Sequence, residues 1–199
     1  MKNNKTIHLE DSPSLVDSLA EIIHEQNKKV GWWDGKQCII TKIQLVNTEI
    51  AEATEGERKD LMDDHLPNRK MGEVELADAL IRLLDIAGHV GWKYTTDGVY
   101  DLYNSIGFNL VPSMAGKHGL LTLMNSGLIA CFVEDDDETA ALMMAEVPVL
   151  YSAIVTAICR TGREHGYDVE AALHEKLAYN KTRLDHKRSS RAEEGGKKF

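Results

Sequence analysis

The stretch IQLVNTEIAEATEGER, residues 43–58, followed after a polar interruption by EVELADALIRLLDIAG, residues 73–88, decides the fold. In the first and just before it, Ile39, Ile43, Val46 and Ile50 recur every three or four residues. In the second, Leu76, Leu80, Leu83, Leu84 and Ala87 do the same. That period places each set on one helical face and predicts helices over 37–58 and 73–90. The residues between them, KDLMDDHLPNRKMG at 59–72, are polar and carry Pro67 and Gly72, so they read as a connection. Upstream, Ser12-Pro13 is a capping residue followed by proline at the first helical position. Leu15, Leu19, Ile22 and Ile23 extend that helix to about residue 27, and Gly31-Trp32-Trp33-Asp34-Gly35 breaks it.

Downstream, a long apolar helix is predicted over 138–163, with a kink at Pro148. Gly166 ends it, and Asp168 caps a last helix reaching about residue 184. Residues 92–137 read less sharply. Short helices are predicted near 97–105 and 119–132, and a hairpin within 106–133 stays open as an alternative. No internal repeat and no sustained alternation of apolar and polar residues is present, so the class is all-α. The expected organisation is one helical domain over 1–184, with 92–137 as an insertion-like segment, and a basic, flexible tail over 185–199.

The chain has 199 residues, a hydrophobic fraction of 43% and a net charge of −9, a balance that suits one folded domain. An acidic chain is poorly suited to coating nucleic acid, so no direct nucleic-acid role is expected. The charge is uneven: residues 176–199 hold eight Lys/Arg against three Asp/Glu, leaving −14 on residues 1–175. Cys38, Cys131 and Cys159 form no disulfide framework and no C-x-x-C pair. The segment 139–159 is long enough to span a membrane, but Glu146 and Pro148 lie near its middle, so it is expected to be a buried helix. A cytoplasmic protein with no membrane association is the resulting expectation. The apolar excess of 119–133 and 139–159 predicts a homo-oligomer, a dimer at least.

The chemistry lies in the acids. Glu49-x-x-Glu52 and Glu75-x-x-Asp78 each put two carboxylates on one helix face. If the two helices pack antiparallel, all four converge, and four anions sharing a site require a cation. Oxygen-only ligands favour Mg²⁺ or Mn²⁺ over zinc. The same spacing also describes a solvated helix face, and spacing alone does not separate the two readings. Near the C-terminus, Lys176, Asn180 and Arg183 form a stripe able to hold phosphate oxygens, or simply to complement a helix dipole. Other constellations fail. Glu21-x-x-His24 is single where a di-iron bundle uses two such motifs. Val111 stands where a P-loop ending at Gly116-Lys117 needs glycine. The acidic run 134–138 lacks the alternation and central glycine of a calcium loop. Ser113 and Ser126 have no triad partners in the sequence.

Taken with KVGWWDG at 29–35, DDHLPNRK at 63–70 and EKLAYNKTR at 175–183, the two acidic helices resemble those of the MazG-like all-α nucleoside triphosphate pyrophosphohydrolases. The resemblance implies a helical bundle of that type with extra helical segments in the middle. It implies Mg²⁺-dependent cleavage of a (deoxy)nucleoside triphosphate or related nucleotide to the monophosphate and pyrophosphate, in a dimer or tetramer. It casts Glu49, Glu52, Glu75 and Asp78 as metal ligands and catalytic residues, and Lys176, Asn180 and Arg183 as substrate contacts. Thr48 stands where the family often has a further Glu, so one and two metals are both compatible. The sequence also resembles the variants carried by bacteriophages, which implies a nucleotide-pool or alarmone role. On this reading Glu52 takes the proton of the attacking water. Trp32 and Trp33 are candidates for stacking on the base, with core anchoring as their other reading. His65 and Arg69 lie on a loop from which they can reach substrate. The competing class is a helical oligomerisation module that keeps the fold without catalysis.

Overall fold

A computed structural model describes residues 7–133 and 136–183. Seven α-helices are seen among these residues: α1 (Pro13–Lys29), α2 (Ile39–Lys59), α3 (Met71–Val90), α4 (Val99–Ile106), α5 (Met114–Ala130), α6 (Asp137–Glu164) and α7 (Val169–Asn180). No strand occurs among the described residues, and one isolated bridge joins Met62 to Lys70. The protein is all-α. The tail 185–199 lies outside the described residues.

α2 and α3 are the most closely packed pair, and α1 and α7 also lean on α3. Gly56 faces Gly72 while Glu49 meets Arg82, so α2 and α3 run antiparallel. The close approach at the hairpin's closed end depends on glycine: a Cβ on Gly56 would lie 2.8 Å from the Gly72 backbone nitrogen. The connection is ordered by the Asp63 carboxylate, which accepts from the backbone N–H groups of His65 (2.9 Å) and Leu66 (2.7 Å). α3 is buried almost all round, as expected of a central helix.

The middle of the chain differs from the sequence expectation. α5 is one helix starting at Met114, where the Ser113 Oγ accepts from Gly116 N–H at 3.2 Å, so a hairpin in 106–133 does not form. α5 packs on α2, and α4 packs on α6. Tyr103, Phe108, Leu121 and Leu128 from this segment are fully buried, so it builds core. α6 continues through Pro148 to Glu164. It is the one described helix long and apolar enough to cross a membrane. Its C-terminal half, Tyr151 to Cys159, is buried in the bundle, while Leu142 (67% exposed) and Met144 in its N-terminal half face outward. α7 stops at Asn180, so Arg183 sits in the turn that follows.

Candidate metal and phosphate groove

One groove of about 430 Å³ runs between α2, α3 and α7. Along its floor lie Glu49 and Glu52 from α2 and Glu75 and Asp78 from α3, brought together by the antiparallel hairpin. Lys176, Asn180 and Arg183 from α7 and the turn after it line the same groove, as do Trp32 and Asn27. Eight of the nine residues singled out in the sequence therefore share one groove.

The acids are not equivalent. One carboxylate oxygen each from Glu49, Glu52 and Glu75 lies within 4.8 Å of the others. Ligands about 2.0–2.1 Å from one Mg²⁺ lie at most about 4.2 Å apart, so these side chains would close in slightly to share one. Glu49 and Glu75 are buried, and Glu52 is exposed to the groove. Burial holds the Glu75 carboxyl above the ordinary carboxylate range, reinforced by the charges of Asp78 and Glu49. Burial also raises Glu52, with Glu49 adding to the effect. Arg82, one turn beyond Asp78, donates to Glu49 and offsets part of the clustered negative charge.

Asp78 stands apart from the three glutamates. Its Oδ2 lies 2.8 Å from Lys176 Nζ. Burial raises the Asp78 carboxyl and Lys176 opposes that rise. Lys176 is only 2% exposed, where the sequence places it on a polar face clear of the core. Burial disfavours its charge, yet Asp78 holds the ammonium above its ordinary range. The stripe of Lys176, Asn180 and Arg183 thus begins with a cation already paired to an acid of the groove.

At the other end of the groove, Asp85 accepts three hydrogen bonds, from His24 Nδ1 (3.0 Å), Asn27 Nδ2 (2.7 Å) and Trp33 Nε1 (2.8 Å). Trp33 is stacked on His89 with centroids 3.8 Å apart. Trp33 does not line the groove, and its ring anchors the loop to α1 and α3. Trp32 does line it, and its carbonyl accepts from Lys42 Nζ at 2.9 Å.

The loop residues also separate. His65 lines the groove with its ring 4.9 Å from that of Tyr179, whereas Arg69 is turned away into ion pairs with Glu73 and Glu175. Arg82 and Asp85 continue the 75–78 stripe at helical spacing, and that spacing is the signal for them. Asn27 and Lys42 carry no comparable mark in the sequence. No protein-family model, curated protein or solved structure matches the chain.

Proposed function

We propose that the groove is the active site of a MazG-like nucleoside triphosphate pyrophosphohydrolase, with Mg²⁺, or Mn²⁺ in its place, held by Glu49, Glu52 and Glu75. The observation that carries this reading is the convergence of three carboxylates within 4.8 Å in a groove that Lys176, Asn180 and Arg183 also line. A purely structural module gains nothing from such a cluster, because like charges at close range oppose one another.

Mg²⁺ at these residues would polarise the phosphate chain and acidify a water. Glu52, the one of the three acids exposed to the groove and the one not fully used as a ligand, takes the proton of the attacking water. The water oxygen bonds to the α-phosphorus and the bond to the β-phosphate breaks, giving a monophosphate and pyrophosphate. Lys176 and Arg183 offset the charge that develops on the leaving pyrophosphate. Asn180 adds a polar contact on the same wall, and Trp32 flanks the far end, where a base would lie. Asp78 holds Lys176 in place and joins the floor. The working protein is a cytoplasmic homo-oligomer, dimer or tetramer, with no membrane or nucleic-acid partner. The resemblance to bacteriophage variants supports a nucleotide-pool or alarmone role.

Incubation with a panel of ribo- and deoxyribonucleoside triphosphates tests this. Pyrophosphate is expected from at least one of them with Mg²⁺, and none in EDTA or with Glu52→Gln. Absence of turnover across the panel with either metal, or an unimpaired Glu52→Gln variant, overturns the reading.

A further inference from the structure

α7 brings Lys176 and Asn180 to the groove, but it has a narrow apolar face. Val169, Ala172 and Leu173 are buried, and Leu177 packs against the core beside them. Apolar contacts are non-directional, so polar contacts sharpen the rotation that this stripe gives the helix. Lys176 pairs with Asp78 and Glu170 Oε1 accepts from the Leu9 N–H at 3.0 Å, but the two-point directional grip comes from Arg69, at the end of the α2–α3 connection. Its Nε and Nη2 donate to the two carboxylate oxygens of Glu175 at 2.9 and 2.7 Å. Its Nη1 donates to Glu73 Oε1 at 2.7 Å and to the Asp168 carbonyl at 3.4 Å. Glu73 Oε1 also accepts from the Asp168 backbone N–H at 2.7 Å.

One guanidinium therefore binds α3, the N-cap of α7 and the second turn of α7. Arg69 is itself fixed by its backbone, whose N–H donates to Leu66 O at 2.8 Å and whose carbonyl accepts from Asp63 N–H at 3.0 Å. Glu175 directly precedes Lys176, and successive residues on a helix point about 100° apart. A two-point grip on Glu175 fixes the rotation of α7 and so the direction of Lys176.

We propose that Arg69 is a positioning residue that sets the rotation of α7 and thereby seats Lys176 on Asp78 at the groove wall. Its effect on nucleotide binding rests on the function proposed above; its effect on Lys176 does not. The fork is essential, because a lysine offers a point charge in place of two parallel donors.

The test compares wild type with Arg69→Met, Arg69→Lys and Glu175→Gln by trace acylation of lysines, read by mass spectrometry. Lys176 is 2% exposed and is expected to react at least about tenfold faster in all three variants, as local opening of α7 requires. Lys42, also buried but on α2, is expected to keep its wild-type rate, which general loosening would not allow. Mg²⁺ affinity, set by α2 and α3, is expected to stay within about twofold, and nucleotide affinity to fall about tenfold. Lys176 protected as in wild type in Arg69→Met and Glu175→Gln overturns the proposal, as does equal deprotection of Lys42. If Lys176 is deprotected while wild type binds no nucleotide, the positioning role stands and the functional reading falls.

Discussion

α2–α3 and α5–α6 are both pairs of long apolar helices, yet they solve opposite problems. In α2–α3 the apolar stripes are covered, and what is left at the surface of the pair is charge: Glu49 and Glu75 are buried beside a groove and partly offset by Arg82 and Lys176. In α5–α6 what is left is apolar: among the described residues, Leu123, Leu142 and Met144 stay exposed. Buried like charges are costly and are kept where a cation uses them. Exposed apolar surface is costly in another way and is kept where another surface covers it. The two helical pairs thus divide the proposed chemistry from the proposed assembly.

The largest expected effect of breaking that division is at the floor. Glu75→Gln should lower Mg²⁺-dependent turnover by about three orders of magnitude, roughly 4 kcal/mol in barrier. Stability should move the other way. Because the folded protein holds Glu75 above its ordinary range, the stability this group contributes to metal-free protein is full below that range and is lost as pH rises through the raised value. The Glu75 contribution to the metal-free melting temperature should therefore fall from acid toward alkaline pH, and Glu75→Gln should remove that part of the slope.

Next comes the wall. Lys176→Met leaves the half-buried Asp78 without its cation, and loss of one partner from such a pair costs about 2–3 kcal/mol. Urea unfolding should show that loss, and Asp78→Asn in the same chain should recover most of it. Arg183, partly exposed beyond the helix, should behave differently: Arg183→Ala should weaken nucleotide binding by about 1.5–3 kcal/mol and leave unfolding unchanged.

A smaller effect separates the two faces of α2. On the side away from the acids, Thr54 Oγ1 lies 3.0 Å from the Nδ1 of His118, a buried residue of α5. Burial pushes the His118 imidazole down to about 4. The unfolded chain takes up a proton first, so the stability held by neutral His118 is full above its ordinary value and is lost as pH falls toward 4. His118→Asn should blunt that acid loss, on the order of 1–2 kcal/mol between pH 6.5 and 4. The smallest effect on stability belongs to the apolar patch. Leu142→Ser with Met144→Ser should change unfolding by no more than about 0.5 kcal/mol. The same pair should shift the protein from oligomer to monomer in light scattering, and an unchanged mass would remove α6 from the interface.

The helices of the first half were legible because each carries one uninterrupted stripe at helical spacing; the bounds of α1, α2 and α3 differ from the sequence reading by two residues or fewer at each end. The start of α5 was obscured by Gly116 and Gly119, which weaken a helix locally and read as loop. Packing against α2 supplies what the local sequence lacks. The four acids and the basic stripe were legible as faces, because spacing of three or four residues is a property of one helix. Their pairing was not. That Asp78 meets Lys176, that Arg69 grips Glu175 and that Asp85 collects His24, Asn27 and Trp33 are contacts between distant segments. No local pattern encodes them.

The most direct test follows one turnover by phosphorus NMR, with purified protein, Mg²⁺ and the nucleoside triphosphate that wild type handles best, in pyrophosphatase-free buffer. The expected result is simultaneous growth of nucleoside monophosphate and pyrophosphate signals in equal amounts, absent with Glu75→Gln. Appearance of nucleoside diphosphate with orthophosphate, or equal rates in wild type and Glu75→Gln, would contradict it.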